Sequence, residues 1–166
     1  MKDTNKNKNK NKNNIFGYLG KWTVLVALVF STGLAANSEE MDEVEEEVSK
    51  LMVRFDKNSL VEISNQLLKM AYSEDSDGDY YNAIKHYRQS IRLRDMMGMS
   101  TDKGYANLLY LTSISEHNFG ASCDAKEHAE IAVKLYQYLN QKVEADLAQK
   151  DLVSFRNACM VLMTQN

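Results

Sequence analysis

The chain has 166 residues, a formal net charge of −3, no proline, 7 glycines, 2 cysteines and 3 histidines. Length allows one domain, or a small domain with appendages. Missing prolines and scarce glycines exclude a loop-rich β-sandwich, a collagen-like chain and a proline-rich linker, all of which need such punctuation. With 44% hydrophobic and 26% charged residues, the composition is that of a soluble helical domain. The charge divides unevenly along the chain. Residues 1–35 hold six lysines and one aspartate, a net +5, whereas residues 36–166 hold nine lysines, five arginines and 22 acids, a net −8. This is the pattern of a basic appendage on an acidic domain.

Residues 1–21 form the basic leader, beginning with the lysine–asparagine alternation MKDTNKNKNKNKNN, which has too little apolar surface to offset its chain entropy. The stretch from Trp22 to Ala36 then runs without a single charge. A basic leader, a short apolar core and small residues at its exit form the pattern of a secretory signal, with Gly33-Leu34-Ala35 placing the cut after Ala35. The run is shorter than the roughly 20 apolar residues that cross a bilayer. The alternative is an uncleaved membrane anchor beginning at Ile15, with Lys21 reaching back to the headgroups. Either way the lysines stay on the cytoplasmic side, and residues 37–166 are expected to be exported: periplasmic in a Gram-negative source, secreted, or anchored outside the cytoplasm.

The next segment, residues 37–57, predicts an acidic amphipathic helix. Met41, Val44, Val48, Leu51 and Phe55 follow 3-4-3-4 spacing and share one stripe. Seven acids between Glu39 and Glu47 fill the other faces and read as solvated surface. Residues 58–166 predict a run of further helices. Ser59 with Glu62 has capping-box spacing and opens a helix through Leu60, Ile63, Leu67 and Met70 to Tyr72, broken by SEDSDGD. Asp79 starts a helix reaching Leu93, and Ser100 or Asp102 caps one through Tyr105, Leu108, Leu111 and Ile114 that stops at Gly120. Ser122 is expected to cap the next, carrying Ala125, Ala129, Ala132 and Tyr136, and a turn at Asn140-Gln141 precedes a last helix from Val143 to Leu162. The fold class is all-α.

The segment Ala71–Leu93, AYSEDSDGDYYNAIKHYRQSIRL, resembles a tetratricopeptide repeat, a helix pair of about 34 residues in which small and large residues alternate at the crossing. Ala71 and Tyr72 match the end of the first helix, Gly78 and Tyr80 the turn, Ala83 the small crossing residue, Tyr87 the large one and Leu93 the closing apolar position. A second copy places Gly120, Ala125, Ala132 and Leu135 at the positions of Gly78, Ala83, Ser90 and Leu93. The interval from Gly78 to Gly120 is longer than the family's repeat, so the connection is expected to carry an insertion, and the family's closing proline is absent after Leu93. The resemblance implies antiparallel helix pairs stacked as a short right-handed superhelix. It also implies a scaffold that grips a peptide or helix of another protein.

Catalytic and metal motifs do not assemble. Asp75, Asp77 and Asp79 alternate, but an EF-hand loop starting at Asp75 needs glycine sixth and glutamate twelfth, where Tyr80 and His86 stand. His86, His117 and His128 show no metal-ligand spacing and read as lone surface histidines. There is no GxSxG, P-loop or GxGxxG, so no catalytic residue, metal or cofactor is expected. The tyrosines read as helix-packing residues, some of which could line a groove. Both cysteines lie in the exported part. If helices 122–139 and 142–163 fold back about Asn140-Gln141, Cys123 and Cys159 stand at heights of roughly 26 and 28 Å from the turn. That level placement permits a Cys123–Cys159 disulfide; the alternative is two buried thiols.

The leading expectation is an exported, tetratricopeptide-like binding or assembly adaptor for a protein partner, with an acidic surface that discourages nucleic acid. A structural subunit forming homo-oligomers through the 39–55 helix is the second reading. A hydrolase using Cys123 or a histidine is the third.

Overall fold

The computed structural model describes residues 42–164. The basic leader, the apolar run, the Ala35 cleavage position and the first residues of the acidic helix lie outside them. Six helices account for the described chain: α1 (42–54), α2 (Lys57–Ser76), α3 (Tyr80–Met96), α4 (Lys103–Phe119), α5 (Ser122–Tyr138) and α6 (Lys142–Thr164). No strand occurs among the described residues, and no helix among them is long and apolar enough to cross a membrane.

Each helix from α2 onward packs on the one that follows it. Consecutive helices run antiparallel: Glu74 late in α2 meets His86 early in α3, while Ser64 early in α2 meets Ser90 late in α3. Helices two apart run parallel at a nearly constant offset. Lys85 meets Glu43 at a sequence separation of 42, Ser115 meets Asp75 at 40, and Tyr110 meets Asp151 at 41. These contacts bring α1 beside α3, α2 beside α4 and α4 beside α6, and Arg88 links α3 to Asp124 of α5.

Small residues permit this close stacking. Ser64, Ala71, Ala83, Ser90, Ala106, Ala125, Ala129, Ala132 and Ala148 are all buried where helices meet. Large side chains fill the spaces between them: Tyr87 and Leu108 beside Ala71 and Ala83, and Tyr105, Leu109, Tyr136, Leu152 and Phe155 around the alanines of α5 and α6.

The helix ends repeat one device. Gly78, Gly98, Gly120 and Asn140 each take positive φ, and each is followed by an amide that bonds back to the last turn: Asp79 to Glu74, Met99 to Arg94, Ala121 to Glu116 and Gln141 to Tyr136, at 2.8–2.9 Å. These are Schellman closures, which favour glycine or asparagine because the left-handed conformation clashes with most side chains. Gly78 and Gly120 are separated by the same interval as Gly98 and Asn140. The connection accounts for only part of the longer spacing. That spacing comes from 17-residue helices in α3, α4 and α5 and from the connection 97–102. Two such helices alone fill the family's repeat of about 34 residues, before any turn is added.

Three local expectations are corrected. The cap of α2 is Asp56, not Ser59; its carboxylate accepts from the amides of Asn58 and Ser59. The helix starts three residues earlier than expected, so Ser59 lies within its first turn and its hydroxyl donates to Asp56. At α5 the cap position falls on Ala121, so Ser122 is already helical and its hydroxyl pairs with His117 instead. Phe55 leaves the α1 stripe, since the helix ends at residue 54 and Phe55 is exposed. Asp79 and Asp102 cap α3 and α4 as expected.

Candidate binding cleft

The residues that carry the repeat resemblance mostly hold the fold together. Ala71, Ala83, Tyr87, Leu93, Ala125 and Ala132 are buried, Tyr80 and Leu135 are half-buried, and Gly78 and Gly120 form turns. Tyr72 alone among the large ones is open, at 61% exposure. Tyr87 is fully enclosed, so it cannot touch a partner. Burial pushes its phenol well above the usual range, and its hydroxyl has no hydrogen-bond partner among the described residues.

An open surface of a different kind lies where α4 and α6 run side by side. Asn107, Tyr110, Leu111, Tyr136, Glu144 and Leu147 line a cleft of about 230 Å³. Its polar groups are already engaged with one another. The Tyr136 hydroxyl donates to Asn107 Oδ1 at 2.8 Å, and the Tyr110 hydroxyl donates to Asp151 Oδ2 at 2.5 Å. The two phenol rings meet edge to face, with centroids 6.4 Å apart. Lys103 closes one end by bonding Gln141 and Glu144, which holds the Glu144 carboxyl below its usual range. Burial, and then Glu144, push the Tyr136 phenol up to about 12. Burial, and then Asp151, also raise that of Tyr110. Both phenols stay neutral near pH 7 and supply shape and hydrogen bonds. Leu111 is half-buried and Leu147 is 51% exposed, leaving apolar surface inside a rigid polar frame.

A second constellation lies between α3, α4 and α5. The Glu116 carboxylate has no solvent exposure; Arg88 donates to it at 2.8 Å and His128 Nδ1 lies 2.7 Å from its other oxygen. Arg88 also reaches Asp124 at 3.2 Å. One repeat earlier, Glu74 and His86 form the same contact at 2.7 Å. Both partners of that pair recur, as Glu116 and His128, at the interval that separates Gly78 from Gly120. Buried charges need partners, and this repeated pair ties the two helices of each unit together. The histidines are therefore not the lone surface residues the sequence suggested: His117 too is placed, bonding Ser122 and packing its ring 4.6 Å from Phe155. Aligning the chain with itself at the Gly78-to-Gly120 offset would have exposed both pairs. Of the aspartate series, Asp75 accepts from Ser115 and Asp79 caps α3. No group of side chains suited to a metal ion occurs among the described residues.

Cys123 and Cys159 form a disulfide in the structure, joining the start of α5 to the far part of α6, with their Cα atoms 4.7 Å apart. Three acids of α1 have partners on α3. Glu43 pairs with Lys85 at 2.9 Å, Glu45 grips Arg92 with both oxygens at 2.5 and 2.7 Å, and Glu47 bonds Gln89. These three acids attach α1 to α3 while staying about half exposed, and Asp42 and Glu46 are exposed, so the solvated face also carries the contacts that hold α1.

Compared with known proteins, the chain matches no family model, no curated protein and no solved structure.

Proposed function

We propose that this chain is an exported protein-binding adaptor, built as a short tetratricopeptide-like superhelix, that grips a helix or extended peptide of its partner in the α4–α6 cleft. The observation that carries this reading is the cleft itself. Its polar groups are spent on holding its walls, whereas Leu147 is 51% exposed and Leu111, packed on its inner side against the Tyr87 cluster, keeps part of its apolar surface open. A preorganised apolar slot of this kind suits an anchoring side chain. Residues 42–164 carry 14 basic and 20 acidic side chains, so a partner with basic flanks is favoured by the field of the domain.

Capture of the native partner by immobilised full-length protein tests this. Leu147→Asp places a charge in the slot and should weaken capture at least tenfold, the value of about 1.4 kcal/mol lost from one buried leucine. Val153→Asp, on the same helix but outside the cleft lining, should leave capture unchanged. Equal capture by wild type and both variants contradicts the proposal.

A further inference from the structure

The junction between α1 and α2 differs from all the others described. Every later junction holds a residue at positive φ, namely Gly78, Gly98, Gly120 or Asn140. Between α1 and α2 stand only Phe55 and Asp56, neither at positive φ. The break rests on Asp56, whose extended backbone (φ −72, ψ 166) and capping carboxylate start α2. Nothing in this stretch forbids helix, so the two helices can also run on as one, about 50 Å long over residues 42–76. That straightening would carry α1 away from its own α3.

The seat that α1 occupies is defined in detail. Val44 and Val48 bury against Leu60 and Leu93, with Leu51 and Met52 packed beside them. The acids Glu43, Glu45 and Glu47 line up on Lys85, Arg92 and Gln89. Every copy of the chain therefore carries both an acidic helix and the matching basic, apolar seat. Such self-complementarity closes under two-fold symmetry, because each copy can seat the other's helix with the same contacts.

We infer that α1 is an exchangeable arm: two copies of this chain pair by trading α1, each seating the other's acidic helix on its own α2–α3 face. The occupant is a second copy, chosen by charge complementarity already present within one chain. The paired form presents two α4–α6 clefts, which raises the avidity for any partner with two matching segments.

Charge exchange tests this on the full-length chain, kept in mild detergent so that the apolar run at 22–36 does not itself associate. One variant carries Glu43→Lys and Glu45→Arg; the other carries Lys85→Glu and Arg92→Glu. Each alone sets like charges on α1 and α3, whether within a copy or between identical copies. Mixed, they match at both seats only by trading arms. Native mass spectrometry should show the mixed dimer in at least tenfold excess over either same-variant dimer, and added salt should reduce that excess. A mixture that stays monomeric while both variants keep their helical circular dichroism overturns the inference, as do same-variant dimers equal in amount to mixed ones. If the variants do not fold, Asp56→Ala in the otherwise native chain decides. Removing the cap favours the continuous helix, so the dimer fraction should rise several-fold, and an unchanged dimer fraction overturns the inference.

Discussion

Glu116 shows what one residue can demand of a helical stack. Its carboxylate is fully enclosed and depends on Arg88 and His128 for the stabilisation that water would otherwise provide. Arg88→Ala leaves that charge buried with part of its shell gone, which typically costs about 3–5 kcal/mol. Urea denaturation should register a loss of this order. The buried tyrosines make a prediction about pH. Tyr136 is raised to about 12 by burial and by Glu144, and burial also raises Tyr87, Tyr105 and Tyr110. A phenol whose folded pKa exceeds its unfolded value near 10 contributes stability that is complete below pH 10 and lost as pH climbs toward the folded value. The urea midpoint should therefore hold steady from pH 7 to 9 and fall progressively above 10. At this scale the sequence was legible where a residue acts on its own neighbourhood: Asp79 and Asp102 announce their caps. It was illegible where two cap candidates stand three residues apart, as Asp56 and Ser59 do, and where the partner is remote in sequence. Nothing near His128 identifies Glu116 as its counterpart.

Helices were legible because apolar spacing reports which face is buried, and glycine marks where a helix stops. The pairing of three acids of α1 with α3 was missed because charge density looks the same whether acids face only water or also a row of side chains, and those partners are remote in sequence, as Lys85 is from Glu43. Gly120 illustrates how local the stop signals are. A Cβ added there would meet nothing within 4 Å, yet its φ is +100. Gly120→Ala should therefore cost about 1–2 kcal/mol through backbone strain alone, read as a lowered thermal midpoint with unchanged helical content. The bridge between α5 and α6 acts on the unfolded chain instead. It closes a sequence separation of 36, for which the loop-entropy relation gives roughly 3–4 kcal/mol. The double variant Cys123→Ser, Cys159→Ser should lose stability of that order in urea, and a reducing agent should lower the wild-type midpoint while leaving the variant's unchanged.

Across the whole molecule, the recurrence that carries Gly78 onto Gly120 organises what single residues and helices do. The same turn closes each helix from α2 to α5, the same glutamate–histidine contact fastens α2 to α3 and α4 to α5, and a parallel offset of nearly the same size brings α4 beside α6. The cleft is a product of that arrangement, which is why it could not be read in advance. Its lining residues come from three helices, and the residues that signalled a repeat are mostly buried beneath the surface they shape. Tyr87, read as the large crossing residue, is core, whereas Leu147 carries no sequence mark and lines the opening. The claim that the α4–α6 cleft receives a protein partner is tested most directly by placing a photo-crosslinking amino acid at position 147 of the full-length protein in its native cells. A discrete adduct should form on illumination and disappear when Leu111→Asp is added without loss of folding. No adduct, or one that persists unchanged with Leu111→Asp, contradicts the claim.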